Sequence, residues 1–133
     1  MKPTLPQFAA ALIALIEGSK LTAYQDPGGV WTIGIGHTGP DVHEGMTITS
    51  EQEQQLFAQD QKFLLTQVQN QPLLAAAAYV SFGFNCGIGA LENVLRGEDS
   101  IGNPKHTTDR SGNVLPGLMN RRRLELMLIA LGE

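Results

Sequence analysis

A chain of 133 residues is long enough for one compact domain with a real core and too short for two comfortable ones. Its 42% hydrophobic and 17% charged content is ordinary for a soluble globular protein, and a formal net charge of −4 argues against nucleic acid as a partner, because phosphate binding needs a surplus of Lys and Arg. A single cysteine, Cys86, rules out an intramolecular disulfide.

Thr4 can cap a first helix over about Leu5–Gly18, with Pro6 tolerated in its first turn. Phe8, Leu12, Leu15 and Ile16 fall on one face at helical spacing. This segment contains the longest apolar run, Phe8–Ile16, whose nine residues fall well short of the roughly 20 that a membrane-spanning helix needs. A lone preceding lysine and no small-residue cleavage site make it a poor signal peptide, so neither export by a leader nor membrane insertion is expected.

Asp26-Pro27-Gly28-Gly29 is turn chemistry between Leu21–Tyr24 and Val30–Ile35, which predicts a small β-hairpin, extended by a third strand near Met46–Ile48. Ser50-x-x-Glu53 reads as a capping box opening a long helix to about Gln69. Pro72 interrupts it, and an Ala-rich helix follows over about Leu73–Phe84. Gly87, Gly89, Gly97 and Gly102 break up the next stretch, Gly97–Pro116 reads as a polar loop, and a last helix covers about Leu118–Leu131. The expected architecture is a single α+β domain over 1–133: a small antiparallel β lobe at about 19–49, beside a helical lobe formed by about 50–133 and the N-terminal helix.

Glycoside hydrolysis needs one carboxyl to protonate the leaving oxygen and a second to activate water or to attack. Glu17 at a helix end and Asp26 in the following hairpin turn can supply the two, and the strand hydroxyl of Thr32 can hold a water. His37, His43 and His106 lack zinc-ligand spacing and no cysteine cluster accompanies them, so no metal or cofactor is expected. Cys86 reads as a small buried hydrophobe.

The run Glu17-Gly18, Leu21, Tyr24, Asp26, Gly29 and Trp31-Thr32-Ile33-Gly34-Ile35-Gly36-His37-Thr38 closely resembles the signature of phage-type lysozymes, glycoside hydrolase family 24. The resemblance implies a lysozyme-like fold and a monomeric muramidase acting on peptidoglycan glycan strands in the cell wall. In that family the Glu, the Asp nine residues later and the Thr six residues after that form the catalytic set. Here they correspond to Glu17, Asp26 and Thr32. Ser81–Gly89 resembles the helix edge and glycine turn lining the glycan groove, implying sugar contacts from Phe84 and Asn85, although Phe84 reads equally well as a core aromatic; Gly36 of the first run is expected as a further sugar contact. The segment Pro116–Glu125 resembles the family's C-terminal motif, whose arginine commonly lies near the catalytic acid. Arg121 is the first choice for it and Arg122 the second, and Arg121 with Glu125 could equally be a surface helix pair. By positional resemblance His37 is expected to pair with Asp60. Compared with typical members the chain is shortened between Asp60 and Ser81, and the Leu95–Pro116 region is a polar loop instead of a helix. A lytic transglycosylase and a non-catalytic peptidoglycan-binding module remain as alternatives.

Overall fold

The computed structural model describes residues 2–132, which form six α-helices and one three-stranded antiparallel sheet. Residues up to Lys62 make one compact unit and those from Phe63 a second. Among the described residues no helix is long and apolar enough to cross a membrane.

In the first unit α1 covers Leu5–Glu17. Thr4 Oγ1 accepts the N–H of Gln7, and Gln7 Oε1 accepts that of Thr4, a complete capping box. The buried stripe is Ala9, Ala10 and Ile13, flanked by half-buried Phe8, Leu12 and Ile16, while Leu15 is 84% exposed. Helical spacing therefore located the packed side but misassigned Leu15. Two of the three fully buried positions are alanines and the third is Ile13, and α1 packs on α2.

The hairpin joins β1 (Lys20–Gln25) to β2 (Trp31–Gly34), with Tyr24 opposite Thr32 and Gln25 opposite Trp31. The third strand is β3 (His37–Thr38), which pairs Ile33 with His37, and not Met46–Ile48. The latter segment contributes only a bridge between Thr47 and Thr22, supported by Ala23 N–H to Met46 O and Ile48 N–H to Leu21 O, both 2.9 Å. Helix α2 (Ser50–Asp60) is capped by Thr49 with Gln52, one residue earlier than the Ser50/Glu53 frame. Glu53 is consequently free of capping and is buried, with its Cγ 3.4 Å from where a side chain on Gly34 would begin. The long helix expected to reach Gln69 is broken at Gln61, and α3 restarts at Lys62–Gln67.

In the second unit α4 (Leu73–Cys86) packs on α6 (Pro116–Gly132). Ala75 through Ala78 are all buried along with Val80 and Phe82, so α4 is covered on every side over these turns. A helix the sequence did not suggest, α5 (Ile88–Leu95), follows directly, with Gly87 ending α4 and preceding α5. The stretch from Gly97 to Leu115 is the expected polar loop, containing one 3₁₀ turn at Pro104–Thr107 and a bridge between Thr108 and Val114.

Candidate active site

Glu17 is the last residue of α1, where Gly18 closes the helix by donating its N–H to Ala14 O at 2.7 Å. It stands one turn beyond Ile13 on the packed stripe, yet its side chain is exposed.

Asp26 is set by main-chain groups. Its Oδ1 accepts the N–H of Gly28 at 2.8 Å and of Val30 at 2.9 Å, and its own N–H donates to Val30 O at 2.9 Å. This is the Asx geometry that Asp adopts in turns. One carboxylate oxygen is thereby spent on the backbone, and Oδ2 retains its acceptor capacity. Thr32 is buried, and its hydroxyl donates to Val30 O at 3.0 Å. With its proton committed there, Oγ1 keeps lone pairs for accepting a hydrogen bond from a water. Asp26 and Thr32 are thus both anchored on the peptide groups of Val30. Gly36 is exposed just before β3, at φ +72°, a conformation that a side chain would strain.

His37 faces two carboxylates: Nδ1 lies 2.7 Å from Asp60 Oδ2, the expected pair, and Nε2 lies 2.9 Å from Asp41 Oδ2. Asp41 was not foreseen, although its position four residues after His37 was a usable signal. Both ring nitrogens donate only in the imidazolium. Burial pushes the ring toward the neutral form, but the hydrogen bonds and charges of Asp41 and Asp60 outweigh it, and the His37 pKa is raised. The same contact holds the Asp41 carboxyl below its ordinary range.

Linkage then sets the window. The stability contributed through His37 is fully present below its ordinary pKa and is lost as pH rises through the raised value. The share contributed through Asp41 is present above its ordinary pKa and is lost as pH falls through the lowered one. His37→Asn is therefore expected to destabilise more at about pH 5.5 than at about pH 9, and to be non-additive with Asp60→Asn. NMR titration of the His37 ring checks this, since an unshifted or lowered midpoint would exclude the arrangement.

The second unit holds Phe84, half-buried, and Asn85, exposed, in the last turn of α4. Arg121 is not half of a surface pair: it is 5% exposed, donates from Nη2 to Ser81 O at 3.0 Å, and has Nε 3.5 Å from Glu125 Oε2. Glu125, fully buried, also accepts from Ser81 Oγ at 2.6 Å and from Arg122 Nη2 at 3.0 Å. Arg122 Nε lies 2.7 Å from Glu125 Oε1 but off the line of its N–H, so that contact is Coulombic and not a hydrogen bond. Burial pushes the Glu125 carboxyl up, while Ser81 and the two guanidiniums pull against it.

Cys86 is not the small buried hydrophobe expected: it is half-buried, and its sulfur accepts from Arg122 Nη1 at 2.8 Å. The Arg122 guanidinium also lies 5.1 Å above the Phe82 ring, whose neighbour His106 is edge-on at 4.9 Å. His106 Nε2 reaches Asp99 Oδ2 at 2.9 Å, and Lys105 Nζ reaches the same oxygen at 3.1 Å. The Ser100 N–H, with His106 and Lys105, holds the Asp99 carboxyl well below the usual range, making it the hub of the polar loop. A cavity of about 370 Å³ is lined by Pro104, Val114, Met119, Arg122 and Leu126, and among the described residues none that line it carries a carboxyl.

The family described as phage lysozyme matches residues 14–125. The endolysin of Bacillus phage B103 is 31% identical over an alignment spanning 97% of this chain and 55% of its own length. The chain thus covers about half of that relative. Among solved structures, the active form of the P1 phage endolysin Lyz aligns with a TM-score of 0.73 at 25% identity, over 95% of this chain and 84% of that one. The muramidase domain of SpmX from Asticaccaulis excentricus aligns with a TM-score of 0.71 at 28% identity, over 96% and 98%.

Proposed function

Because the chain belongs to the phage lysozyme family, we propose that it is a muramidase that hydrolyses the β-1,4 bond between N-acetylmuramic acid and N-acetylglucosamine in peptidoglycan. It acts as one domain, since the family match runs through both units. Its place of action is the bacterial cell wall, with host lysis as the outcome. It works as a monomer and needs no metal or cofactor.

The observation carrying this reading is the shared anchoring of Asp26 and Thr32 on Val30, downstream of an exposed helix-end Glu17. Glu17 protonates the glycosidic oxygen as the bond breaks. Asp26, through Oδ2, accepts a proton from a water that Thr32 Oγ1 helps to hold, and the water attacks the anomeric carbon. A carboxylate pinned by two amides is better suited to steering water than to swinging in as a nucleophile, so the product is released with inverted configuration. Gly36, Phe84 and Asn85 contact sugar, while His37, Asp60 and Arg121 support the framework.

Muropeptide analysis of digested sacculi tests the assignment. Reducing N-acetylmuramic acid ends are expected; 1,6-anhydro ends would instead identify a lytic transglycosylase, and intact strands a binding module. Proton NMR of the first product anomer tests inversion, and initial release of the β-anomer would require a covalent intermediate.

A further inference from the structure

The last turn of α4 pairs an exposed amide, Asn85, with a half-buried thiol, Cys86, which is in turn gripped by a buried arginine. Cys86 Sγ donates to Asn85 Oδ1 at 3.6 Å while accepting from Arg122 Nη1 at 2.8 Å. The chemistry of the three groups dictates the direction of both bonds. A guanidinium has only donors, so the sulfur must accept from it, and the remaining S–H needs an acceptor. Asn85 can offer only its carbonyl oxygen for that purpose, and its NH₂ group is turned the other way.

Arg122 cannot drift from this task. It is 2% exposed, its Nη2 donates to the fully buried Glu125, and its plane lies over Phe82. Burial also raises the thiol pKa, so the S–H proton is present at neutral pH. The relay therefore runs from the helix-packing core of this unit to an exposed side chain at the end of α4.

We propose that Cys86 is a positioning residue for substrate: held by Arg122, it fixes the Asn85 amide so that its NH₂ donates outward to an acceptor oxygen of the glycan, a hydroxyl or an acetamido carbonyl. This rests on the muramidase reading given above. An untethered surface Asn samples several rotamers and loses that freedom on binding, whereas one held by the thiol has already lost part of it.

Steady-state cleavage of purified glycan oligomers tests the relay, with the ¹⁵N spectrum of side-chain amides as a second readout. Cys86→Ala is expected to raise KM about two- to tenfold, the size of one lost hydrogen bond, and to leave kcat unchanged. Cys86→Ser, which keeps a donor and an acceptor, should restore most of the affinity. Asn85→Ala should raise KM similarly, and adding Cys86→Ala to it should change nothing more. Asn85→Asp keeps an acceptor for the thiol but lacks the outward donor, so it should also bind weakly, and it serves if Cys86→Ala folds poorly. The Asn85 NH₂ resonances should move in Cys86→Ala and return in Cys86→Ser. Wild-type KM in Cys86→Ala, additive single effects, or unmoved Asn85 resonances would overturn the relay. A wild-type protein that cuts no glycan would sink the muramidase reading instead, while the amide spectrum would still decide whether Cys86 holds Asn85.

Discussion

Glu17→Gln is expected to lower turnover on permeabilised bacteria by at least about 10²-fold, the low end of what a positioned acid contributes. The amide keeps the shape and polarity of the side chain but has no proton to deliver to the leaving oxygen. Folding should survive, because Glu17 is an exposed residue at a helix end and none of the stripe at Ala9, Ala10 and Ile13 is touched. Circular dichroism of the purified variant separates the two effects. Glu17→Asp sharpens the test: it keeps the acid but withdraws it by about 1 Å, a misplacement that alone can cost about 10²-fold. A folded Glu17→Gln protein that lysed cells at near wild-type rate would remove Glu17 from the mechanism.

Glu125→Gln is expected to be the most destabilising conservative change in the second unit. The carboxylate is fully buried with Ser81 Oγ at 2.6 Å, Arg122 Nε at 2.7 Å and Arg121 Nε at 3.5 Å. A neutral amide takes away the counter-charge that Glu125 supplies to the buried Arg122 guanidinium, and breaking a buried pair in this way costs about 3–5 kcal/mol. Against a total stability of about 5–15 kcal/mol for an ordinary domain, that is a large fraction. The midpoint of urea unfolding should fall accordingly. Adding Arg122→Met to Glu125→Gln should recover part of the loss, because it removes the guanidinium whose counter-charge was lost. A Glu125→Gln protein as stable as wild type would mean that solvent or rearrangement neutralises the arginines.

The elements read correctly from sequence are those whose code is local. The Thr4 cap and the Asp26–Gly29 turn each carry their instructions within a few residues, and both formed as expected, with Gln7 completing the Thr4 cap as a box. The second capping box shows how such a code slips. Thr49-x-x-Gln52 and Ser50-x-x-Glu53 are overlapping and chemically equivalent frames, and only the burial of Glu53 beside Gly34 distinguishes them. Helix α5 was hidden because Gly87 and Gly89 look like breakers, when Gly87 in fact ends one helix and introduces the next. The break at Gln61 sits among residues that all tolerate a helix, so no local signal marked it.

The site divides the same way. Glu17, Asp26 and Thr32 stood out through spacing combined with family resemblance, whereas spacing by itself would have left them ordinary surface and strand residues. The buried arginine cluster was invisible because Arg is expected at the surface. Beyond the resemblance of Pro116–Glu125 to the family's C-terminal motif, its sequence trace is that Arg121 and Arg122 stand four and three residues before Glu125, a spacing shared with many exposed helix pairs.

The way Asp26 is held bears on how freely this chain can vary. Its carboxylate is placed by main-chain amides alone, so no neighbouring side chain determines where it sits. Pro27 and Val30 can therefore drift in identity without displacing it. Gly28 and Gly29 have less latitude: a side chain at Gly28 would begin 3.3 Å from Asp26 Oδ1, and Gly29 sits at φ +82°. Changing the loop by a single residue would be worse than any of these substitutions, since it would shift both amides together. Descendants of this sequence should accordingly tolerate a change of letters around Asp26 far better than a change of spacing.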